Sequence, residues 1–130
     1  MQVAGKRGAL PAALRASGFK RLRLDATDID VWLVPLKAGA SRLHSLHATL
    51  SDDEKKRASR LRAASDRRKF IVARGMLRRL LGLYLDKPPA DLQFAYGRHG
   101  KPRLKSAADL QFNTAHSGER AVYEIGRAHV

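Results

Sequence analysis

The stretch Ser65–Leu85, SDRRKFIVARGMLRRLLGLYL, decides how the rest of the chain is read. Phe70, Ala73, Leu77, Leu80, Leu81 and Tyr84 recur at helical spacing, so a helix built from them carries one apolar stripe. Arg67, Arg74 and Arg78 recur at intervals of seven and four and give that helix a cationic flank. Such a flank ordinarily solubilises an exposed face, and this reading stands beside one in which the arginines meet an anion. The helix stops at DKPPA, because a proline cannot continue it and biases its predecessor toward extended backbone.

Working outward, SDDEKKRASRLR begins with Ser51 and Glu54 three residues apart, the spacing of a capping box worth about 1 kcal/mol to a helix start. SRLHSLHATL places Leu43, Leu46 and Leu50 at helical spacing. Earlier still, DIDVWLVPL alternates Ile29, Val31 and Leu33 against Asp30, Trp32 and Val34 and ends at Pro35, which marks a strand with Trp32 as a core residue. Residues 1–28 read as a poorly specified leader. After Pro89 the period becomes two: LQFAY, LQFN and AVYEI form three strands separated by GRHGKP and HSGER. The expected fold class is α+β, a small antiparallel sheet packed on the long amphipathic helix, as one domain over residues 29–130.

Charge bounds the partners. Among 130 residues, 26 are Lys or Arg and 12 are Asp or Glu, a net charge of +14. Residues 1–65 and 66–130 each hold 13 basic and 6 acidic side chains, so no separate tail carries the excess. A charge of that size destabilises a compact state unless an anion offsets it. Cysteine is absent, which fits a reducing compartment and makes the cytoplasm the default. No apolar run approaches the roughly 20 residues that cross a bilayer, so no membrane anchor is expected. A small basic nucleic-acid-binding module is the alternative reading, because this charge attracts phosphodiesters by counterion release. Against it stand the low aromatic content, 6%, and the lack of a zinc or helix-turn-helix pattern.

Two short segments carry candidate chemistry. GRHGKPRL sets Arg98, His99, Lys101 and Arg103 around Gly100 and ahead of Pro102, a turn that displays its lysine. FNTAHSG sets Asn113, Thr114, His116 and Ser117 beside Gly118 and reads as a loop after a strand, with groups able to donate to phosphate oxygens. The strand LQFN joins the two, so both loops are expected to meet at one sheet edge and gather Lys101 and His116 about a single pyrophosphate. His44 and His47 lie three apart without an acid or third histidine nearby and read as a solvated face. Ser117 beside His116 is no nucleophile–base pair, since adjacent strand residues point apart.

Taken in order, VWLVPL, LSDDEKKRASRLR, DRRKFIVARGMLRRLLG, FAYGRHGKPRL and FNTAHSG resemble the N-terminal half of the larger two-lobed, Sfp-type 4′-phosphopantetheinyl transferases over about residues 29–130. The resemblance implies a transferase of the holo-[acyl-carrier-protein] synthase type. Such an enzyme moves the phosphopantetheine arm of coenzyme A to a serine of an acyl or peptidyl carrier protein and releases adenosine 3′,5′-bisphosphate. It serves fatty-acid, polyketide or nonribosomal-peptide biosynthesis. By the same resemblance coenzyme A is held by Arg74 on the long helix, by Arg98, Gly100, Lys101 and Pro102 in the basic turn, and by Asn113 and His116.

Departures from the family pattern carry further expectations. The family has N-x-S-H-S where this chain has Ala115 before His116, a loss of one hydroxyl donor. A charge-assisted hydrogen bond lost without replacement costs on the order of 1.5–3 kcal/mol. The family's Mg²⁺ is held by the acids of a G-[VI]-D-[IVL]-E motif and by a later W-x-x-K-E-A segment, and neither occurs up to Val130. Hence no catalytic residue and no metal ligand is expected within the chain, and the isolated N-terminal lobe is expected to be inactive.

Overall fold

The computed structural model describes residues 2–5, 29–105 and 109–127. In chain order its elements are β1 (Gln2–Gly5), β2 (Ile29–Pro35), α1 (Ala40–Ala48), α2 (Asp52–Arg60), α3 (Ala64–Leu85), a 3₁₀ turn (Pro89–Asp91), β3 (Phe94–Tyr96), β4 (Pro102–Leu104), β5 (Leu110–Ser117) and β6 (Arg120–Arg127). Four strands form one antiparallel sheet in the order β1-β2-β6-β5, and β3 and β4 form a separate hairpin. Helix α3 lies on the four-stranded sheet, so the expected α+β arrangement holds.

Period-two alternation explains the inner face of the sheet. Asp30, Trp32 and Val34 of β2, Ala121, Tyr123 and Ile125 of β6, and Leu110 and Phe112 of β5 are all buried. They meet Val72, Ala73, Met76, Leu77, Leu80, Leu81 and Tyr84 of α3 in a single core. Each such large apolar side chain contributes about 1.5–3 kcal/mol when fully removed from water. Three hydrogen bonds pin the helix to the sheet. Trp32 Nε1 donates to Tyr84 Oη at 2.9 Å, and Tyr84 Oη donates to the Asp30 carboxylate. Tyr123 Oη donates to the Ala73 carbonyl. Trp32 is therefore a core residue, as its strand alternation indicated.

Helix ends follow local chemistry. The capping box forms: Ser51 Oγ accepts from the Glu54 N–H at 3.2 Å and Glu54 Oε1 accepts from the Ser51 N–H at 2.9 Å. Helix α3 ends on Asp86 in the left-handed conformation, φ 54°, and the N–H groups of Asp86 and Lys87 close on the Gly82 carbonyl. On the opposite side, Gly75 lets α1 approach α3 closely, because a Cβ there would lie 2.8 Å from Leu46 Cβ.

Two expectations are corrected. FNTAHSG is not a loop: β5 runs through Ser117, which pairs with Arg120 across a two-residue turn. The relaxed position is Gly118, φ 60°, so the glycine closes a hairpin instead of opening a loop. A fourth strand after the helices, β4, escaped detection because three residues beginning with proline show no alternation. Gln2–Gly5, inside the stretch read as a leader, pairs antiparallel with β2. Among the described residues no helix is long and apolar enough to cross a membrane.

Gly82 tests the packing at the end of α3. Ala in a helix gains about 1 kcal/mol over Gly, yet a Cβ at Gly82 would stand 2.6 Å from the Lys87 carbonyl oxygen. Overpacking costs about 1–3 kcal/mol and wins. Gly82→Ala is expected to lower the urea midpoint. A raised midpoint for Gly82→Ala would contradict the described turn.

Candidate functional site

A buried carboxylate lies at the centre of the candidate site. Glu54, at the third position of α2, is only 2% exposed. Its Oε2 accepts from Arg74 Nη1 at 2.9 Å and its Oε1 from Arg78 Nε at 2.7 Å. Burial by itself pushes this carboxyl up. The Ser51 N–H and the two guanidiniums outweigh that effect and hold it below the ordinary glutamate range. The arginines expected on a cationic flank are thus not a solvated stripe. Arg74 and Arg78 are buried, and Arg67 donates to the carbonyls of Leu61 and Arg62 at 2.7 and 2.8 Å.

Each arginine has further work. Arg78 Nη1 donates to the carbonyls of Leu92 at 2.8 Å and Pro89 at 3.0 Å, which ties the root of the β3–β4 hairpin to α3. Arg74 Nη1 also donates to Tyr96 Oη at 2.9 Å. The Arg74 guanidinium lies 5.3, 5.7 and 5.9 Å from the ring centres of Phe70, Phe94 and Tyr96, and Arg57 lies 5.2 Å from Phe70. A cation held among aromatic rings and away from water keeps a strong field for any anion that reaches it.

Arg74 opens on a depression of about 90 Å³, which it lines with Arg57, Phe70, Pro102, Thr114 and His116. On β5, Phe112, Thr114 and His116 share the face turned toward α3, and Asn113 and Ala115 lie on the other face. Lys101 goes to that other side: its Nζ donates to Asn113 Oδ1 at 2.7 Å. Lys101 and Asn113 line a wider groove of about 530 Å³ together with Pro102, Arg103, Lys105 and Phe112. The single basin expected for Lys101 and His116 is therefore two neighbouring depressions that share buried Pro102. Arg98 and Gly100 line neither; they form the exposed tip of the hairpin, where Gly100 takes φ 75°. Ala115 faces away from the Arg74–His116 depression, so the hydroxyl it lacks belongs to the opposite face of β5.

Sequence reasoning missed Glu54, Arg57 and Tyr96. The capping box accounted fully for Glu54, which hid its second role, and Arg57 lies one helical turn beyond it on the same face. Counting charges, Arg57, Arg74 and Arg78 against Glu54 leave a surplus of +2, with His116 as an added donor. Such a grouping of guanidiniums and an imidazole has the charge and the donors that suit a phosphate-like dianion. Among the described residues no group of three or more His, Asp or Glu side chains is placed to hold a metal ion.

Comparison with known proteins agrees with that chemistry. A family profile described as 4′-phosphopantetheinyl transferase, N-terminal, matches residues 37–124. The chain is 39% identical over 107 residues to the 4′-phosphopantetheinyl transferase HetI of Nostoc sp., a match that covers 80% of this chain and 45% of HetI. It is 38% identical over 91 residues to the putative 4′-phosphopantetheinyl transferase slr0495 of Synechocystis sp., covering 68% of this chain and 36% of that protein. The chain thus spans less than half the length of these relatives. Among solved structures, the fold resembles a holo-(acyl-carrier-protein) synthase from Bacillus anthracis in complex with CoA (3′,5′-ADP). The TM-score is 0.52 at 18% identity, over 76% of this chain and 93% of that one.

Glu54→Gln retains an acceptor for the cap but removes the charge between two buried guanidiniums. Breaking such a group costs about 3–5 kcal/mol, which urea denaturation at pH 7 is expected to read as a lower midpoint. The pH dependence has a definite sign. A carboxyl whose native pKa lies below its unfolded value stabilises above that unfolded value, 4.5, and loses this contribution as pH falls toward the native one. The parent and Glu54→Gln curves of stability against pH should therefore converge below 4.5. Curves that stay parallel there would rule out an ionised Glu54 as the source of the difference.

Proposed function

The chain belongs to the 4′-phosphopantetheinyl transferase family, and we propose that it supplies the surface that grips the phosphates of coenzyme A while the phosphopantetheine arm passes to a serine of an acyl or peptidyl carrier protein. The observation that carries this reading is Arg74: a buried guanidinium, held by Glu54 through one nitrogen, beside His116 in a depression the size of a single oxyanion. Coenzyme A presents two separated phosphate centres, a 3′-phosphate and a diphosphate. Two cationic depressions parted by Pro102 suit such a ligand better than one basin would. Arg74, His116 and Arg57 would serve one centre, and Lys101 with Asn113 the other.

In the transfer, the carrier serine oxygen forms a bond to the phosphorus that bears the pantetheine arm. The bond from that phosphorus to the 3′,5′-ADP oxygen breaks, and the serine proton passes to a base. Negative charge grows on the departing bisphosphate. Fixed cations aimed at those oxygens lower the barrier because they need no reorientation as the charge develops. Arg74 suits this task, since its ion pair and its aromatic surround already hold it in place. His116 and Lys101 donate hydrogen bonds that position the diphosphate for in-line attack. Mg²⁺, when bound, would supply charge neutralisation on the diphosphate; the described acids do not assemble a site for it. A cytoplasmic setting fits the absence of cysteine.

Titration calorimetry of the chain with 3′,5′-ADP and with coenzyme A tests the reading. Micromolar binding is expected. His116→Ala and Lys101→Ala should each weaken it about tenfold, the equivalent of one charge-assisted hydrogen bond near 1.4 kcal/mol. Binding indifferent to both substitutions, alongside salt-sensitive binding of DNA or RNA, would overturn it.

A further inference from the structure

Tyr96 is one of the two large apolar residues left exposed among the described residues, at 44% of its surface, yet its hydroxyl is not idle. It accepts from Arg74 Nη1 at 2.9 Å, in a bond that spans from the last residue of β3 to the middle of α3. Among the described residues, the β3–β4 hairpin forms its own two-stranded sheet, separate from the four-stranded one. Its root is held by Arg78, and Phe94 meets Phe112 edge-on with ring centres 5.9 Å apart. At the turn end, Lys101–Asn113 and Tyr96–Arg74 are the side-chain hydrogen bonds that reach the rest of the fold. Tyr96 is also paired in register with Pro102, the residue common to both depressions and the neighbour of Lys101.

From this geometry we infer that Tyr96 is a positioning residue that couples the two phosphate depressions: its hydroxyl sets the Arg74 guanidinium and the Lys101–Pro102 edge of the hairpin at a fixed separation. The inference rests on the reading that both depressions bind coenzyme A phosphates. It goes beyond it by assigning the spacing between them to a residue that need not touch the ligand. A ligand with two phosphate centres gains from that spacing. Inorganic phosphate, which fills one depression at a time, does not.

Tyr96→Phe tests this, because it removes one oxygen at an exposed position and leaves the ring in place. Expected results are an unchanged thermal midpoint, affinity for 3′,5′-ADP reduced at least threefold, and inorganic phosphate affinity unchanged. In an Arg74→Lys background, which keeps the charge beside Glu54 but gives up the fork, the same substitution should have little further effect on 3′,5′-ADP. Parent-like 3′,5′-ADP affinity in Tyr96→Phe would overturn the inference. So would an undiminished loss in the Arg74→Lys background, which would mean that Tyr96 contacts the ligand directly. If the parent chain itself fails to bind 3′,5′-ADP, the functional reading falls instead, and the two failures are told apart by that first titration.

Discussion

One carboxylate between two guanidiniums organises this molecule. Glu54 starts α2, and through Arg74 and Arg78 it reaches the centre of α3. Those arginines continue to the carbonyls of Pro89 and Leu92 and to the Tyr96 hydroxyl. Two helices and the hairpin are thereby fixed to one another by charge-assisted hydrogen bonds in a region where an unmatched charge is costly. The apolar core and the Tyr84 and Tyr123 hydroxyls hold α3 to the sheet. The ionic group adds directional contacts, and these place a cation beside β5.

That economy explains how a chain of net charge +14 carries a local site and not merely a diffuse basic surface. Exposed lysines and arginines contribute little individually, because water and salt screen them. Arg74 differs in being desolvated and immobilised, with its positive charge only partly offset by a Glu54 that it shares with Arg78. His116 shares its depression because β5 continues past Phe112, its last buried residue, to Ser117 before turning at Gly118, with His116 on the same face as Phe112. Membership of the transferase family and the anion-seeking geometry therefore point the same way, although each rests on different observations.

The elements themselves were largely legible along the chain. A 3.6-residue period marked α3, a serine–glutamate pair marked the start of α2, and alternation marked β2 and β6. Short segments were not: β4 has three residues and opens on proline, and the end of β5 carries turn-forming residue types that were read as loop. Of the site residues, Arg74, Lys101, Asn113 and His116 were picked out by their types and their resemblance to a family pattern. Glu54 was not, because the capping box accounted for it, and Arg57 and Tyr96 carried no signal of their own along the chain.

Hydrophobic period, caps and turn residues act between neighbours a few positions apart, so the sequence alone determined the helices, most strands and the α+β class. Which face each polar group occupies depends on contacts between residues twenty or more positions apart, such as Glu54 with Arg74 and Arg78. Only the tertiary structure decided that Arg74 and Arg78 of the flank are buried and that Lys101 and His116 line separate depressions. The physical reason is that burial and strand parity, fixed when α3 settles on the sheet, determine which donors can reach the same anion.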